Sequence, residues 1–186
     1  SLMTLYETNL KKSLQLGYIF SLIHVPIFVI MAKFFNTQMT IAVGTPILVI
    51  VGQFIMDKVG RSLSFSSGFF GFSAIVLSGA MIHLGKGMIE WHFHIFVCLG
   101  ILCLFANPIT IIVAAVTAAV HHLVFYIYLP ESVFNYEASF AIVAIHAAFV
   151  VVEAVACVYI SHKFQKVLLL QGKISEELGP LLENID

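Results

Sequence analysis

The chain has 186 residues, of which 60% are apolar and 10% are charged, with a formal net charge of −1. Its mean hydropathy is +1.02, whereas a soluble globular domain carries about 25% charged residues. This composition excludes an ordinary soluble protein and predicts an integral membrane protein. We therefore expect the lipid bilayer as its surroundings and no nucleic acid as a partner.

Six apolar stretches are long enough to cross a hydrocarbon layer of about 30 Å as helices, which takes about 20 residues. In chain order they cover residues 14–35, 39–56, 63–84, 88–105, 108–129 and 138–161. Their apolar runs are continuous rather than alternating, which excludes a β-barrel. The expected fold class is all-α: a bundle of six transmembrane helices in residues 1–162, followed by an amphipathic cytoplasmic helix that begins a signalling stalk in residues 163–186.

Basic residues in the short connections predict the orientation of the bundle. If the N-terminus lies in the cytoplasm, seven of the nine lysine and arginine residues lie on the cytoplasmic side, and only Lys33 and Lys86 lie outside. Both termini are therefore expected in the cytoplasm.

The histidines are the most unusual feature of the predicted spans. With this topology, seven of the eight fall in the outer half of the bundle, on five of its six helices: His24, His83, His92, His94, His121, His122 and His146. Ionisable groups inside a membrane are costly and usually face the bundle interior or a watery cavity. Their common depth therefore predicts a shared functional site.

Imidazole is a common ligand of zinc, copper and iron, and a glutamate adds an oxygen donor or orients a histidine. Depths calculated at about 1.5 Å per residue divide the candidate metal ligands into two layers. The outer layer contains Glu90, His83 and His92, and the deeper layer contains His94, His121 or His122, His146 and His24. Neighbouring residues on a helix diverge by about 100°, so His121 and His122 cannot both face one metal. The sequence leaves open which of them is a ligand and whether the metal is Cu, Zn or Fe.

Haem b is an alternative cofactor, with axial ligands drawn from His94, His121, His122 and His146, because the alanine-rich fifth and sixth spans could admit a flat macrocycle. Hydrogen bonding between helices is the purely structural alternative. A di-iron membrane enzyme is a third alternative, but the histidine spacings differ from those of such enzymes, and we expect no enzymatic activity.

Glu153 lies seven residues after His146, on nearly the same face of the sixth helix and about 10 Å deeper. A carboxylate at that depth is costly unless it is neutral or paired. We interpret it as a relay towards the cytoplasm, the alternative being a protonated acid in an interhelical hydrogen bond.

After residue 161 charges return within a pattern of apolar residues spaced by three, four and seven. This pattern indicates a helix that leaves the membrane and is interrupted at Gly179–Pro180.

Three segments resemble a known family. "IEWHFHIF", "NPITIIVAAVTAAVHHLVFYIYLP" and "AIHAAFVVVEA" resemble the six-helix membrane sensory region at the N-terminus of some bacterial chemotaxis receptors, with similar regions on histidine kinases and diguanylate cyclases. The resemblance covers about residues 88–160. It implies a sensory input role, a homodimer in the bacterial inner membrane and a cytoplasmic signalling domain downstream, and it implies no particular ligand.

Overall fold

A computed structural model of the chain describes residues 3–185, which fold as six α-helices without a β-strand. The helices are α1 (Leu5–Phe35), α2 (Met39–Val59), α3 (Leu63–Leu84), α4 (Ile89–Leu102), α5 (Pro108–Tyr128) and α6 (Phe140–Glu183). Short 3₁₀ turns follow α4 at Cys103–Phe105 and α5 at Pro130–Ser132. The predicted all-α fold is confirmed, and each predicted apolar stretch overlaps one of the six helices.

Five helices are long and apolar enough to cross a membrane, as expected for an integral membrane protein. The fourth, Ile89–Phe105 with its 3₁₀ turn, is apolar but shorter. Helix α1 begins nine residues before the predicted span because Thr4 and Glu7 form a reciprocal capping box at its start. Its other end is set by Asn36, whose φ of 53° places it in the left-handed region that closes a helix.

Connections of three to five residues join the first five helices, and one of eleven residues joins α5 to α6, so that successive helices alternate in direction. We call the upper end the one that holds the connections at 36–38, 85–88 and 129–139, and the lower end the opposite one. At the upper end, Thr37 donates a hydrogen bond to the carbonyl of Leu84. At the lower end, Asn9 and Ser13 donate hydrogen bonds to the carbonyl of Leu104, so both ends are tied by polar contacts.

Helix α3 lies at the centre of the bundle and packs against α1, α2, α4 and α5. Its small residues allow these close contacts. A Cβ added at Gly71 would lie 2.3 Å from the carbonyl oxygen of Thr110 on α5, so only glycine permits this crossing. The position of α5, and of the histidines it carries, is therefore set by direct backbone contact with α3.

Helix α6 has 44 residues and runs from the upper end well past the lower end of its neighbours. The predicted interruption at Gly179–Pro180 is wrong, because the helix continues through Pro180 to Glu183. Proline removes one helical hydrogen bond, and on this exposed helix water is available to the freed carbonyl. Below the bundle, the Gln165 amide donates a hydrogen bond to the Tyr6 hydroxyl at 2.9 Å, which fixes α6 against the start of α1.

Candidate metal-binding site

Five of the seven histidines near the upper end form two groups that differ from the two predicted layers. His24 and His94 form one group, which we call the pair. His92, His122 and His146 form the other, which we call the triad. The two groups lie on different sides of α4, because His92 and His94 are two residues apart on that helix and diverge by about 200°.

The pair is a completed hydrogen-bond chain between α1, α4 and α3. His24 Nδ1 lies 2.6 Å from the carbonyl oxygen of Phe20, so this nitrogen carries the proton. His24 Nε2 therefore accepts from His94 Nε2 at 2.8 Å, and His94 Nδ1 accepts from the Ser78 hydroxyl at 2.6 Å. Two nitrogens bound to one tetrahedral metal ion would lie about 3.4 Å apart. The pair has the spacing of a hydrogen bond and serves as a link between helices.

The triad joins α4, α5 and α6, each of which contributes one ring. The ring of His92 lies 5.4 Å from the ring of His122 and 5.6 Å from that of His146, centre to centre. His92 and His122 are buried, and His146 is half-buried. With metal–nitrogen distances of about 2 Å, the ring centres of two histidine ligands lie about 5 Å apart. The two ring distances that involve His92 are therefore close to the distance between two ligands of one metal ion.

The three rings of the triad share one hydrogen-bonding pattern. Each Nδ1 bonds to the carbonyl four residues earlier on its own helix: His92 to Met88 at 3.0 Å, His122 to Ala118 at 2.9 Å, and His146 to Ile142 at 2.8 Å. A carbonyl only accepts, so each Nδ1 is protonated and each Nε2 keeps its lone pair. This is the orientation that metal-ligating histidines adopt.

No partner within residues 3–185 binds the Nε2 atoms of the triad. The Nε2 of His92 is completely buried and still has no hydrogen bond. A buried polar atom without a partner costs about 1–3 kcal/mol. Within residues 3–185, no three His, Cys, Asp or Glu side chains are placed so that they could hold a metal ion, and this includes the triad. Metal binding would therefore require the rings to rotate or the three helices to move closer together.

Two apolar cavities adjoin the triad. One, of about 350 Å³, lies between α4 and α6 and is lined by His92, His122 and His146 together with aliphatic and aromatic side chains. The other, of about 370 Å³, lies between α5 and α6 and is lined by five alanines and larger apolar side chains, with His122 and His146. The small residues that the sequence places around the histidines thus leave space beside the rings.

Phe134, in the connection between α5 and α6, covers the triad from the upper end. Its ring stacks on His92 at 5.8 Å and meets His146 edge-on at 5.5 Å. Gly87 allows this cover to close, since its φ is +74° and a Cβ there would lie 2.7 Å from the backbone of Phe134. On its other side Phe134 lines a polar groove at the upper surface. Phe134 therefore separates the triad from that groove.

Of the remaining predicted site residues, His121 adjoins the triad, because its Nδ1 lies 3.4 Å from the Nδ1 of His122 and the two ring centres are 5.1 Å apart. His83, in the last turn of α3, bonds to Ser132 and Gln38, both at 2.9 Å, and so links α3 to two connections at the upper end. Glu90 is exposed on α4. His121 points to α3, where a Cβ on Gly79 would lie 3.0 Å from its Nε2.

Glu153 is half-buried on α6 and accepts a hydrogen bond from the Cys157 thiol at 3.6 Å. Both residues of this contact lie on α6, so it does not join Glu153 to another helix. The predicted relay role of Glu153 stays a prediction.

Sequence reasoning missed two residues of the site region. Ser78 completes the pair and Phe134 covers the triad. Ser78 had a signal in the sequence, because it is a polar residue in the middle of an apolar span. Phe134 had none, since an aromatic residue in an interfacial connection is ordinary.

Searches against protein-family models, curated proteins and solved structures found no match to this chain.

Proposed function

We propose that the chain is a transmembrane sensory input module that binds a transition-metal ion at His92, His122 and His146 and transmits occupancy through α6. The observation that supports the proposal is the pattern shared by the triad. Three rings from three helices have their Nδ1 atoms held by backbone carbonyls and their Nε2 atoms without partners. A role as interhelical hydrogen-bond donors and acceptors would leave the Nε2 atoms paired, as in His24 and His94.

In this proposal all six helices cross the inner membrane, with the upper end in the periplasm and both termini in the cytoplasm. The protein works as a homodimer, and a signalling domain follows residue 186. The distribution of basic residues supports the orientation, and the sequence resemblance to chemotaxis-receptor sensory regions supports the dimer and the downstream domain.

Signal transmission follows from the shape of α6. This helix carries His146 near its upper end and continues without interruption to Glu183. Metal binding must bring the three Nε2 atoms together, so it favours the arrangement in which α6 is closest to α4 and α5. A ligand shifts such an equilibrium only by its difference in affinity for the two arrangements, typically 1–3 kcal/mol for coupled sites.

The metal site is tested by measuring the affinity of purified, chelator-stripped protein for Cu(I), Zn(II) and Fe(II), with elemental analysis and an absorption spectrum. His92→Ala, His122→Ala and His146→Ala should each lower the affinity for the bound metal at least tenfold. His162→Ala is the matched control, because His162 is exposed and far from the triad. Wild-type affinity in all three triad variants would refute the site. A Soret band in the protein as purified would select haem instead.

Transmission is tested with spin labels on Lys58, in the last turn of α2, and Lys173, on α6, both of which are exposed. Labelled protein is diluted with unlabelled protein so that only distances within one chain are measured. Adding metal should change the distance, and the same labels in His146→Ala protein should show no change. If labelled protein with an intact triad binds stoichiometric metal and the distance between the labels does not change, the sensory role is refuted. The metal centre would then be structural or catalytic.

A further inference from the structure

A polar pocket of about 470 Å³ lies at the lower end of the bundle, between α1, α2 and the connection from α2 to α3. Two cations line it, Lys11 on α1 and Arg61 in the connection, and both are exposed. One carboxylate also lines it, that of Asp57 near the end of α2, and it is half-buried. None of these side chains belongs to the proposed metal site, so the pocket is a separate candidate for ligand binding.

The Asp57 carboxylate is held in place by neutral side chains. One of its oxygens accepts a hydrogen bond from the Tyr18 hydroxyl, and the other accepts one from the Gln53 amide at 2.9 Å. Gln53 is itself fixed, because its amide also donates to the Ser66 carbonyl at 3.0 Å and its oxygen accepts from the Ser73 hydroxyl at 3.3 Å. Within the described residues no cation is bonded to this carboxylate. Since a carboxylate has about four acceptor positions, Asp57 can still accept from a donor outside the chain.

Lys11 and Arg61 supply the opposite charge in the same pocket, and neither is bonded to Asp57 in the described residues. Both side-chain types bind phosphate oxygens, and arginine often does so with two parallel hydrogen bonds. Basic pockets between membrane helices on the cytoplasmic side bind lipid headgroups. The pocket therefore offers two cations to a phosphate group and one carboxylate to a positively charged donor.

We propose that this pocket binds the headgroup of a phospholipid that carries both a phosphodiester and a primary ammonium group, as phosphatidylethanolamine does. The phosphodiester lies between Lys11 and Arg61, and the ammonium donates a hydrogen bond to Asp57. The inference goes beyond the proposed metal site and does not depend on it. It takes from the proposed function only the orientation, which places this lipid in the cytoplasmic leaflet.

The surface above the pocket suits the acyl chains of such a lipid. Leu22 lies one turn above Tyr18 on α1, and Phe54 lies one turn above Asp57 on α2. Their side chains are 61% and 56% exposed. A lipid with its headgroup in the pocket therefore has apolar contacts along two helices, whereas a soluble phosphate compound has only the polar contacts of the pocket.

The two charges of the headgroup distinguish it from two other common lipid classes. Phosphatidylglycerol offers hydroxyl groups to Asp57 but no positive charge, and a hydrogen bond between two ionised groups is the stronger one. Phosphatidylcholine has the positive charge, but its quaternary ammonium has no N–H to donate. We therefore expect phosphatidylethanolamine to bind more tightly than either.

The first test is a titration of delipidated protein in one detergent with the three lipids, all with the same acyl chains, followed by native mass spectrometry. Phosphatidylethanolamine should bind about fivefold more tightly than the other two, the value of one charge-assisted hydrogen bond over a neutral one. Equal affinity for the three lipids, or tighter binding of phosphatidylglycerol, would overturn the inference. Glycerophosphoethanolamine, which has the same headgroup without acyl chains, should displace the lipid only weakly. Displacement at concentrations equal to those of the lipid would show that the pocket takes a soluble ligand and would overturn the assignment to lipid.

The second test uses charge-removing variants with matched controls. Lys11→Gln and Arg61→Gln should each weaken the binding of phosphatidylethanolamine about fivefold or more. Lys12→Gln and Lys58→Gln remove the same charge from exposed positions at the same end of the bundle that do not line the pocket, and they should leave the affinity unchanged. Equal losses in variants and controls would show an unspecific attraction between basic residues and phosphate, and the inference would fall. Asp57→Asn should abolish the preference over phosphatidylcholine. Should this variant fail to fold, the ranking of the three lipids on unmodified protein still decides the question.

Discussion

Replacement of His92 and of His24 by phenylalanine should change stability in opposite directions. Both histidines are buried, at 4% and 3% exposure. His92 has a buried Nε2 without a partner, whereas both nitrogens of His24 are hydrogen-bonded. The two residues thus differ in what a phenylalanine ring would remove, although they are equally inaccessible.

The magnitudes follow from these contacts. His92→Phe removes an unpaired buried atom that costs about 1–3 kcal/mol, and it loses one hydrogen bond worth about 0.5–1.5 kcal/mol. The carbonyl of Met88 keeps its bond from the backbone N–H of Trp91 at 3.2 Å. We therefore expect stabilisation by about 1 kcal/mol, with the neighbouring cavity giving room for the larger ring.

His24→Phe removes two short hydrogen bonds and leaves the Nε2–H of His94 buried without an acceptor. We expect destabilisation by about 2–3 kcal/mol. In chelator-treated protein, thermal unfolding in one detergent should separate the two variants by several degrees, at about 2–4 °C per kcal/mol for a chain of this size. At the same time His92→Phe should abolish metal binding. Equal destabilisation by both substitutions would refute the distinction between the pair and the triad.

Three further predictions concern neighbouring positions. His121→Ala should leave metal affinity within about twofold of wild type, because its ring faces α3, and a loss equal to that of His122→Ala would show that the two histidines share the site. Glu90→Gln should also leave metal content and its pH dependence unchanged, as measured by metal titration at several pH values, since Glu90 is exposed. Gly71→Ala should lower thermal stability by about 1–3 kcal/mol through overpacking against Thr110, whereas Gly100→Ala, with no atom near its added Cβ, should not, and equal effects would contradict the proposed close crossing of α3 and α5.

The elements of the fold were predictable because apolar length and turn residues are local signals. Helix α3 covers the predicted range of 63–84 without a difference. The largest differences occur near the two ends of the chain. A capping box makes α1 begin earlier in the sequence, at Leu5, and the exposed end of α6 tolerates Pro180. Neither position lies in an apolar run, so hydropathy gave no information on them.

The sequence was enough to predict which histidines lie near the upper end, but not which of them contact one another. The depth of each histidine along its helix can be read from the sequence, but the rotation of each helix about its own axis cannot. His94 and His146 lie at similar depth and were predicted as partners. In the structure α4 directs His94 to α1 and His92 to α5 and α6. The order of helices around α4, which comes from non-local packing, decides which histidines meet.

The shortness of the fourth helix has a consequence for the surrounding lipid. Ile89–Phe105 extends about 25 Å at 1.5 Å per residue, less than the hydrocarbon thickness of about 30 Å. A bilayer meets such hydrophobic mismatch by thinning locally, and thinning beside α4 brings the headgroups and water closer to His92, near the upper end of that helix. At the proposed metal site, exchange of the ion should therefore be faster in short-chain lipids than in long-chain lipids, with the same ligands in both.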